Sequence, residues 1–316
     1  MSKNVIDSTI EFCAETGSEI AFIPSRRQIE NDGGYVNNWK TNEFCEYVKE
    51  RSTILIVRDH SGPGQGKNDD DGYSSLREDC QHMDMIHIDP WKKYPSFEDG
   101  LEETARMIEF CLKINPEIEF EVGTEQSIRK FESEELESFI YSLKSRIGSA
   151  AFSKVKYLVI QSGTSLVGNE QTGSYDSKRL KEMISVCKKI GILSKEHNGD
   201  YIGIDIIREK FDIGLDAINI APEFGLIETD TYLECIEDTN VLDLFFQICH
   251  DSKKWVKWVS RDFNPIENKI ELIRICGHYV LSDERFLNGI KSFFPDIDSK
   301  IKDNVKKKLR ELYGKA

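Results

Sequence analysis

The chain has no C-x-x-C pair, no long apolar run and no surplus of positive charge. Its eight cysteines (Cys13, Cys45, Cys80, Cys111, Cys187, Cys235, Cys249 and Cys276) are scattered. That spacing excludes a thiolate zinc knuckle and a disulfide framework, and suits free thiols in a reducing cytoplasm. No stretch approaches the roughly 18 apolar residues that span a bilayer, and MSKNVIDSTIEFCAETG reads as an amphipathic helix, not a secretion signal. Lys and Arg number 42 against 56 Asp and Glu, a net charge of −14. Nucleic acid and anionic membranes are thereby excluded as partners, since both require a positive field. A nucleotide P-loop is missing as well: GPGQGK lacks the G-x-x-x-x-G-K-[ST] spacing, and Asn68 follows the lysine. No internal repeat or low-complexity segment occurs.

What is present is apolar material for a sizeable core, 39% of 316 residues. Seven short runs have strand character: EIAFIPS at 19–25, TILIVRD at 53–59, DMIHID at 84–89, IEFEVG at 118–123, YLVIQSG at 157–163, GILSKEHN at 191–198 and AINIAP at 217–222. They are nearly continuous rather than alternating, as in parallel strands covered on both faces, and helical patterns separate them. This order predicts an α/β fold, a (β/α)8 TIM barrel with a C-terminal helical extension, its eighth strand unplaced. Residues 1–235 would form the barrel core and 236–316 a mostly helical part packed on it. The last helix, near 297–313, would turn Ile301, Val305, Leu309 and Leu312 to one face.

Catalytic groups of such barrels sit where the strands end. Those ends carry Ser25-Arg26-Arg27-Gln28, Asp59-His60, His87 with Asp89, Glu121 with Glu125, Gln161, Glu196-His197, Asp200-Tyr201, and Asn219 with Glu223. His60 and His197 would face each other across the mouth. With carboxylates nearby they suit a divalent ion, zinc or else manganese, and Glu125 is the expected third ligand. Asp59 is adjacent to His60, and adjacent strand residues point to opposite faces, so Asp59 reaches the site only if the strand bends there. Asp59, Glu125 and Asp200 are the candidate general bases. Arg26, Arg27, Gln28, Arg58, Asp89, Gln161, Tyr201 and Glu223 are expected to contact substrate. His87 can share an inner face with Asp89 but reads as a packed histidine. The glycine run after His60 reads as a mobile flap, and Trp255 and Trp258 as core.

The motifs NDGGYVNNW, RDHSGPG, IHID, VGTE, YLVIQSG, KEHNGDY and GLDAINIAP, followed by KKWVKWV and HYVLSDERF, occur in one order. This series resembles the tagatose-bisphosphate aldolase non-catalytic subunit family, relatives of the class II aldolases, over nearly the whole chain. The resemblance implies a barrel acting on ketose sugars or their phosphates with a divalent metal, as an epimerase or aldolase working through C3–C4 retro-aldol or proton-abstraction chemistry and a metal-stabilised enediolate. It places the aspartate that handles the proton at Asp59, metal-binding histidines at His60 and His197, and the glutamate of the Gly-Thr-Glu motif at Glu125. It also implies an alternative, a non-catalytic subunit stabilising a class II aldolase partner, and a possible homo-oligomer. Departures from the pattern include Pro90-Trp91 for Ala-Ser and Gln126-Ser127-Ile128-Arg129 for a Gly- and Pro-rich stretch. Glu284 stands in place of an arginine, and Glu223 and Glu228 lie near a position where the family carries a cation. Carboxylates there would repel a sugar bisphosphate, leaving Arg26, Arg27 or Arg58 as anion anchors.

Overall fold

The computed structural model describes residues 2–167 and 170–314. Nine strands occur in it: β1 (Ala21–Phe22), β2 (Leu55–Ser61), β3 (Met85–Ile88), β4 (Glu119–Val122), β5 (Val155–Ile160), β6 (Leu166–Val167), β7 (Glu170–Gln171), β8 (Leu193–Glu196) and β9 (Ala217–Ile218). The helices between them are α1 (Lys3–Thr16), α2 (Thr41–Lys49), α3 (Tyr73–His82), α4 (Phe97–Ile114), α5 (Ser133–Phe152), α6 (Ser177–Ile190) and α7 (Ile204–Ile213). Then come α8 (Pro222–Cys235), α9 (Thr239–Ser252), α10 (Lys269–Cys276), α11 (Glu284–Gly289) and α12 (Ile297–Tyr313).

All seven expected strands are present. They pair in parallel in the order β1-β2-β3-β4-β5-β8-β9, while β6 and β7 form a separate antiparallel hairpin. The sheet is strongly curled. β2 and β8 lie four steps apart, about 19 Å in a flat sheet, yet the rings of His60 and His197 at their ends have centroids 5.0 Å apart. The outer strands β1 and β9 are not hydrogen-bonded to each other among the described residues. The architecture is therefore a seven-stranded half-barrel, and closure of the expected (β/α)8 barrel is not shown.

Side-chain parity divides the sheet cleanly. Ile86, Ile88, Phe120, Val122, Leu158 and Ile160 face the helices and join Leu101, Ile108, Phe139 and Met183 in one buried cluster. His87, Glu121, Lys195 and His197 take the opposite parity and share the inner face. A second cluster joins α1 and α8 to the C-terminal helices through Phe12, Tyr232, Phe245, Leu272 and Phe286. In α12, Ile297, Ile301, Val305 and Leu309 are buried, so this helix buttresses α1 and α8. Among the described residues no helix is long and apolar enough to cross a membrane.

Candidate metal centre

Three imidazoles from different strands meet at the mouth. His60 belongs to β2, His87 to β3, and His197 follows β8; their ring centroids are 4.9–5.0 Å apart in every pairing. Each ring has one nitrogen tied to an acceptor behind it. His60 Nδ1 is 2.6 Å from Asp89 Oδ2, His87 Nε2 is 3.0 Å from Gly123 O, and His197 Nε2 is 2.7 Å from Glu121 Oε1. Because these oxygens only accept, each bonded nitrogen carries the hydrogen, and the lone pair of the neutral ring is on the other nitrogen.

Those remaining nitrogens converge with the carboxylate of Asp59. His60 Nε2, His87 Nδ1 and His197 Nδ1 lie 3.8, 3.9 and 3.7 Å from Asp59 oxygens, and the four ligand atoms all fall within 4.8 Å of one another. A tetrahedral ion with arms of about 2.1 Å needs ligand atoms about 3.4 Å apart; the Asp59 contacts are within a few tenths of an ångström of that, while the widest separation in the set, up to 4.8 Å, would close by up to about 1.4 Å around an ion. Histidine ligands backed by carboxylate or carbonyl are the arrangement that fixes tautomer and ring orientation at divalent-metal sites. The donor set fits zinc or manganese.

The question of how neighbouring Asp59 and His60 reach one site is answered by the backbone. His60 has φ +47°, and the β2–β3 register shifts between Arg58 and Ser61. A bulge with a left-handed residue breaks the alternation and brings both side chains to the inner face. For a non-glycine residue this costs about 1–2 kcal/mol, offset by the short charge-assisted bond to Asp89. Asn219 Nδ2, just past β9, donates to Asp59 Oδ1 at 3.3 Å.

The electrostatics are those of a site that attracts cations. Burial disfavours charge on His60, but Asp59 and the Asp89 bond outweigh it and push the imidazole up to about 10. His87 is also raised against burial, by Glu121 and Asp59. Asp59 moves the other way: burial would raise it, but the histidines hold it well below the usual carboxylate range. Glu121 is likewise held low against burial, by Lys195, His87 and His197. Lys195 Nζ binds Glu121 Oε2 at 2.6 Å.

Several expected site residues are engaged elsewhere. Glu125, the expected third ligand, accepts from Ser127 Oγ at 2.5 Å and is not part of the four-residue cluster; His87 supplies the third imidazole. Asp89, expected on the substrate, holds His60 and also accepts from Gln65 and Thr124. Arg58 is fully buried. Its five N–H groups go to Asp79 (twice), Pro24 O, Ile29 O and Thr41, because its parity turns it toward the helices. Arg26 is taken by Glu30, Asp70 and Gly62 O. Gln28 accepts from Ser25 N, and Gln161 bonds Phe131 N, Thr124 O and Arg129 O. Asp200 accepts from Ala221 N and Glu223 N at the start of α8; burial raises it to about 7 despite these bonds, and Glu223 adds to the rise.

Glu223 accepts from Tyr201 N and pairs with Lys308 Nζ at 2.5 Å. Glu228 is buried and bonded to Asn4. The carboxylates expected to repel an anionic substrate are thus compensated or turned away. Trp91 does not enter the mouth either: fully buried, it packs on Phe131 and Phe139. Of the expected arginines, Arg27 alone keeps most of its guanidinium uncommitted, with Nε donating to Gly66 O.

The glycine run is a tucked loop. Gln65 Nε2 reaches Asp89 Oδ2 at 3.1 Å, and a Cβ on Gly66 would come within 2.9 Å of the Arg26 guanidinium. Lys195 is absent from the strand-end residues that the sequence offers, while His87 and Glu121 are among them without a role in the expected ligand set. Their shared signal was parity, for His87 lies in register with Glu121 across β3 and β4.

Fold and cluster together define the class: an α/β half-barrel with a three-histidine candidate metal centre at its mouth. No protein-family model matches the chain, and no curated protein matches it in sequence. Among solved structures it is similar to a probable tagatose 6 phosphate kinase from Sinorhizobium meliloti 1021, with TM-score 0.69 and 17% identity over 96% of this chain and 84% of that one. It is also similar to the fructuronate-tagaturonate epimerase UxaE from Cohnella laeviribosi, with TM-score 0.61 and 8% identity over 97% and 78%. A third is the YdjI aldolase from Escherichia coli K12, with TM-score 0.55 and 13% identity over 98% and 86%. These are the kinds of protein to which the motif series pointed, and at such identities they show the fold.

Proposed function

We propose that this chain is a divalent-metal-dependent enzyme that breaks and forms the bond between C3 and C4 of a ketose or ketose phosphate, as an aldolase or a C4 epimerase. The observation that carries the reading is the three-histidine cluster, each ring held from behind, with Asp59 beside it. His60, His87 and His197 would hold the ion, and three protein ligands leave a position open for substrate. A bound divalent cation supplies positive charge opposite the oxygens that become negative as the bond opens.

The protein's own groups do the rest. Asp59, oriented by Asn219, takes the proton of the C4 hydroxyl on a carboxylate oxygen and returns it when the bond re-forms. Release of the aldehyde half gives cleavage; rotation before bond formation gives epimerisation. Asp89 and Glu121 keep His60 and His197 in the tautomer that presents a lone pair. The intact, backed histidine set favours an enzyme over an accessory subunit.

The test is metal analysis joined to a sugar screen. Purified protein should retain or take up about one equivalent of zinc or manganese. Carbon-13 NMR should then show cleavage or C4 interconversion of a ketose or ketose phosphate, lost in His87→Ala and Asp59→Asn. A protein that binds no divalent ion and turns over none of these sugars would sink the reading.

A further inference from the structure

Two of the sequence motifs take no part in the metal centre, and they meet elsewhere. Tyr35 and Asn37 of NDGGYVNNW and His278 and Ser282 of HYVLSDERF border one cavity of about 100 Å³. The Asn37 N–H donates to Ser282 Oγ at 2.8 Å and joins the two segments. The start of α1, the middle of α8 and the first turn of α12 complete the wall, which shares no residue with the histidine cluster. Four charged side chains border the cavity: Lys3, Glu228, Lys291 and Asp298. Lys3 pairs with Asp7 and Lys291 with Asp298, each at 2.9 Å. Asn4 Nδ2 donates to Asp298 Oδ1 and to Glu228 Oε1, each at 2.9 Å. Glu228 therefore has a neutral amide as partner and, among the described residues, no cation. Its Oε2 is buried without a hydrogen-bond partner, and so is Nδ1 of His278 across the same cavity. Glu228 is 3% exposed and His278 8%, so bulk water does little for either.

We propose that this cavity binds a small primary ammonium ion, held between Glu228 Oε2 and His278 Nδ1. Buried polar atoms left unbonded are costly and few in native proteins, and here two of them border one space. Both are acceptors. An ionised carboxylate oxygen only accepts, and burial above all lowers His278 to about 3, so its ring is neutral and Nδ1 can offer a lone pair. A primary ammonium brings three N–H donors and one positive charge, which supplies both orphaned atoms and the counter-charge that Glu228 lacks. Other ligand classes fit less well. A divalent metal needs more ligands, and among the described residues no third ligand atom completes a set here. A sugar hydroxyl would donate a hydrogen but leave the carboxylate without a cation, and an anion would be repelled by it. Tyr35 and Tyr232 also border the cavity, and the face of a tyrosine attracts a cation. The site stands independently of the aldol reading, since it uses none of the same residues.

The probe is methylammonium chloride, added to the full chain at neutral pH, where the amine is charged, and followed by calorimetry and melting temperature. Tetramethylammonium chloride at the same concentrations is the comparator, with the same charge and no N–H donor. Methylammonium should bind saturably and raise the melting temperature with concentration; tetramethylammonium should do neither. Glu228→Gln keeps the volume and removes the charge, and His278→Phe keeps a ring and removes Nδ1. Each should weaken methylammonium about tenfold, the scale of one charge-assisted hydrogen bond. Glu234→Gln, at an exposed carboxylate on the same helix, should leave binding unchanged. Melting curves show which variants fold, and if Glu228→Gln does not, His278→Phe carries the test. Absence of saturable methylammonium binding, an equal response to tetramethylammonium, or wild-type affinity in a folded Glu228→Gln or His278→Phe variant would each overturn the proposal.

Discussion

Replacing Asp89 by asparagine isolates what holds His60 in place. Asp89 is fully buried. Its Oδ2 takes the His60 Nδ1–H at 2.6 Å and also accepts from Gln65 and Thr124, while Oδ1 accepts from Trp91 N at 3.3 Å. Asparagine keeps the volume. With its oxygen toward the three donors, its NH2 faces the Trp91 N–H, donor against donor; flipped, it faces the histidine instead. Either way a charged bond worth about 1.5–3 kcal/mol becomes a neutral one worth about 1, and a donor is left opposed. Loss of a partner behind a metal-binding histidine typically weakens the metal 10- to 100-fold, and the bond count here puts Asp89→Asn in that range. Metal-depleted protein would be titrated with zinc against a competing chromophoric chelator. Because the metal-free His60 imidazole titrates near 10, zinc must displace its proton. Affinity should therefore rise with pH through the neutral range, and calorimetry in buffers of different ionisation enthalpy should detect the released proton. Zinc affinity within twofold of the wild type in a folded Asp89→Asn variant would refute the reasoning.

Two further predictions concern stability. Asp79→Asn leaves the buried Arg58 guanidinium without its charged partner, formed by bonds of 2.7 and 3.0 Å, and should cost about 3–5 kcal/mol in urea unfolding; a change below 1 kcal/mol would contradict the structural role given to this pair. Asp200 and His278 should tilt the pH dependence in opposite senses. Asp200, raised from 3.8 to about 7 by burial and Glu223, binds a proton in the fold that the unfolded chain has released, so its contribution falls between pH 3.8 and 7. His278, lowered from 6.5 to about 3 by burial, then by Lys254 and Lys257, is neutral in the fold while the unfolded chain is protonated. Its contribution is lost as pH falls from 6.5 toward 3. Each slope approaches about 1.4 kcal/mol per pH unit, so the two largely cancel from pH 4 to 6.5. Asp200→Asn should expose the histidine slope and make stability rise with pH across that window; an unchanged profile would contradict it.

The strand ends were legible because near-continuous apolar runs between helical patterns have few other readings, and His60 and His197 fell at those ends. The chemistry at the ends was less legible, for two physical reasons. One is that a long side chain goes where its Cβ sends it. Arg58 sits between two inner-face positions on β2, and alternation alone turns it to the helices, where Asp79 and backbone carbonyls exhaust its donors. The other is that alternation fails at the bulge. Nothing in the residue types at 58–61 announces φ +47° at His60, yet that torsion decides whether Asp59 joins the cluster. Glu125 was favoured over His87 because it ends a recognisable motif, whereas His87 is flanked by isoleucines and reads as core until β3 is placed beside β4.

The inner face also argues for itself. A buried polar group is costly unless it is bonded, and this face carries a lysine, a glutamate and three histidines. Working from its floor toward the mouth, the bonds come in order. Lys195 takes one oxygen of Glu121 and His197 takes the other; His87 turns its N–H to Gly123 O, and His60 turns its own to Asp89. Each bond settles a donor and passes a lone pair upward. The lone pairs that result, on His60 Nε2, His87 Nδ1 and His197 Nδ1, point at one place beside an ionised aspartate. One of them, His87 Nδ1, already accepts from the His60 backbone N–H at 3.2 Å, a donor that an ion would displace. Their concentration is what a cation requires.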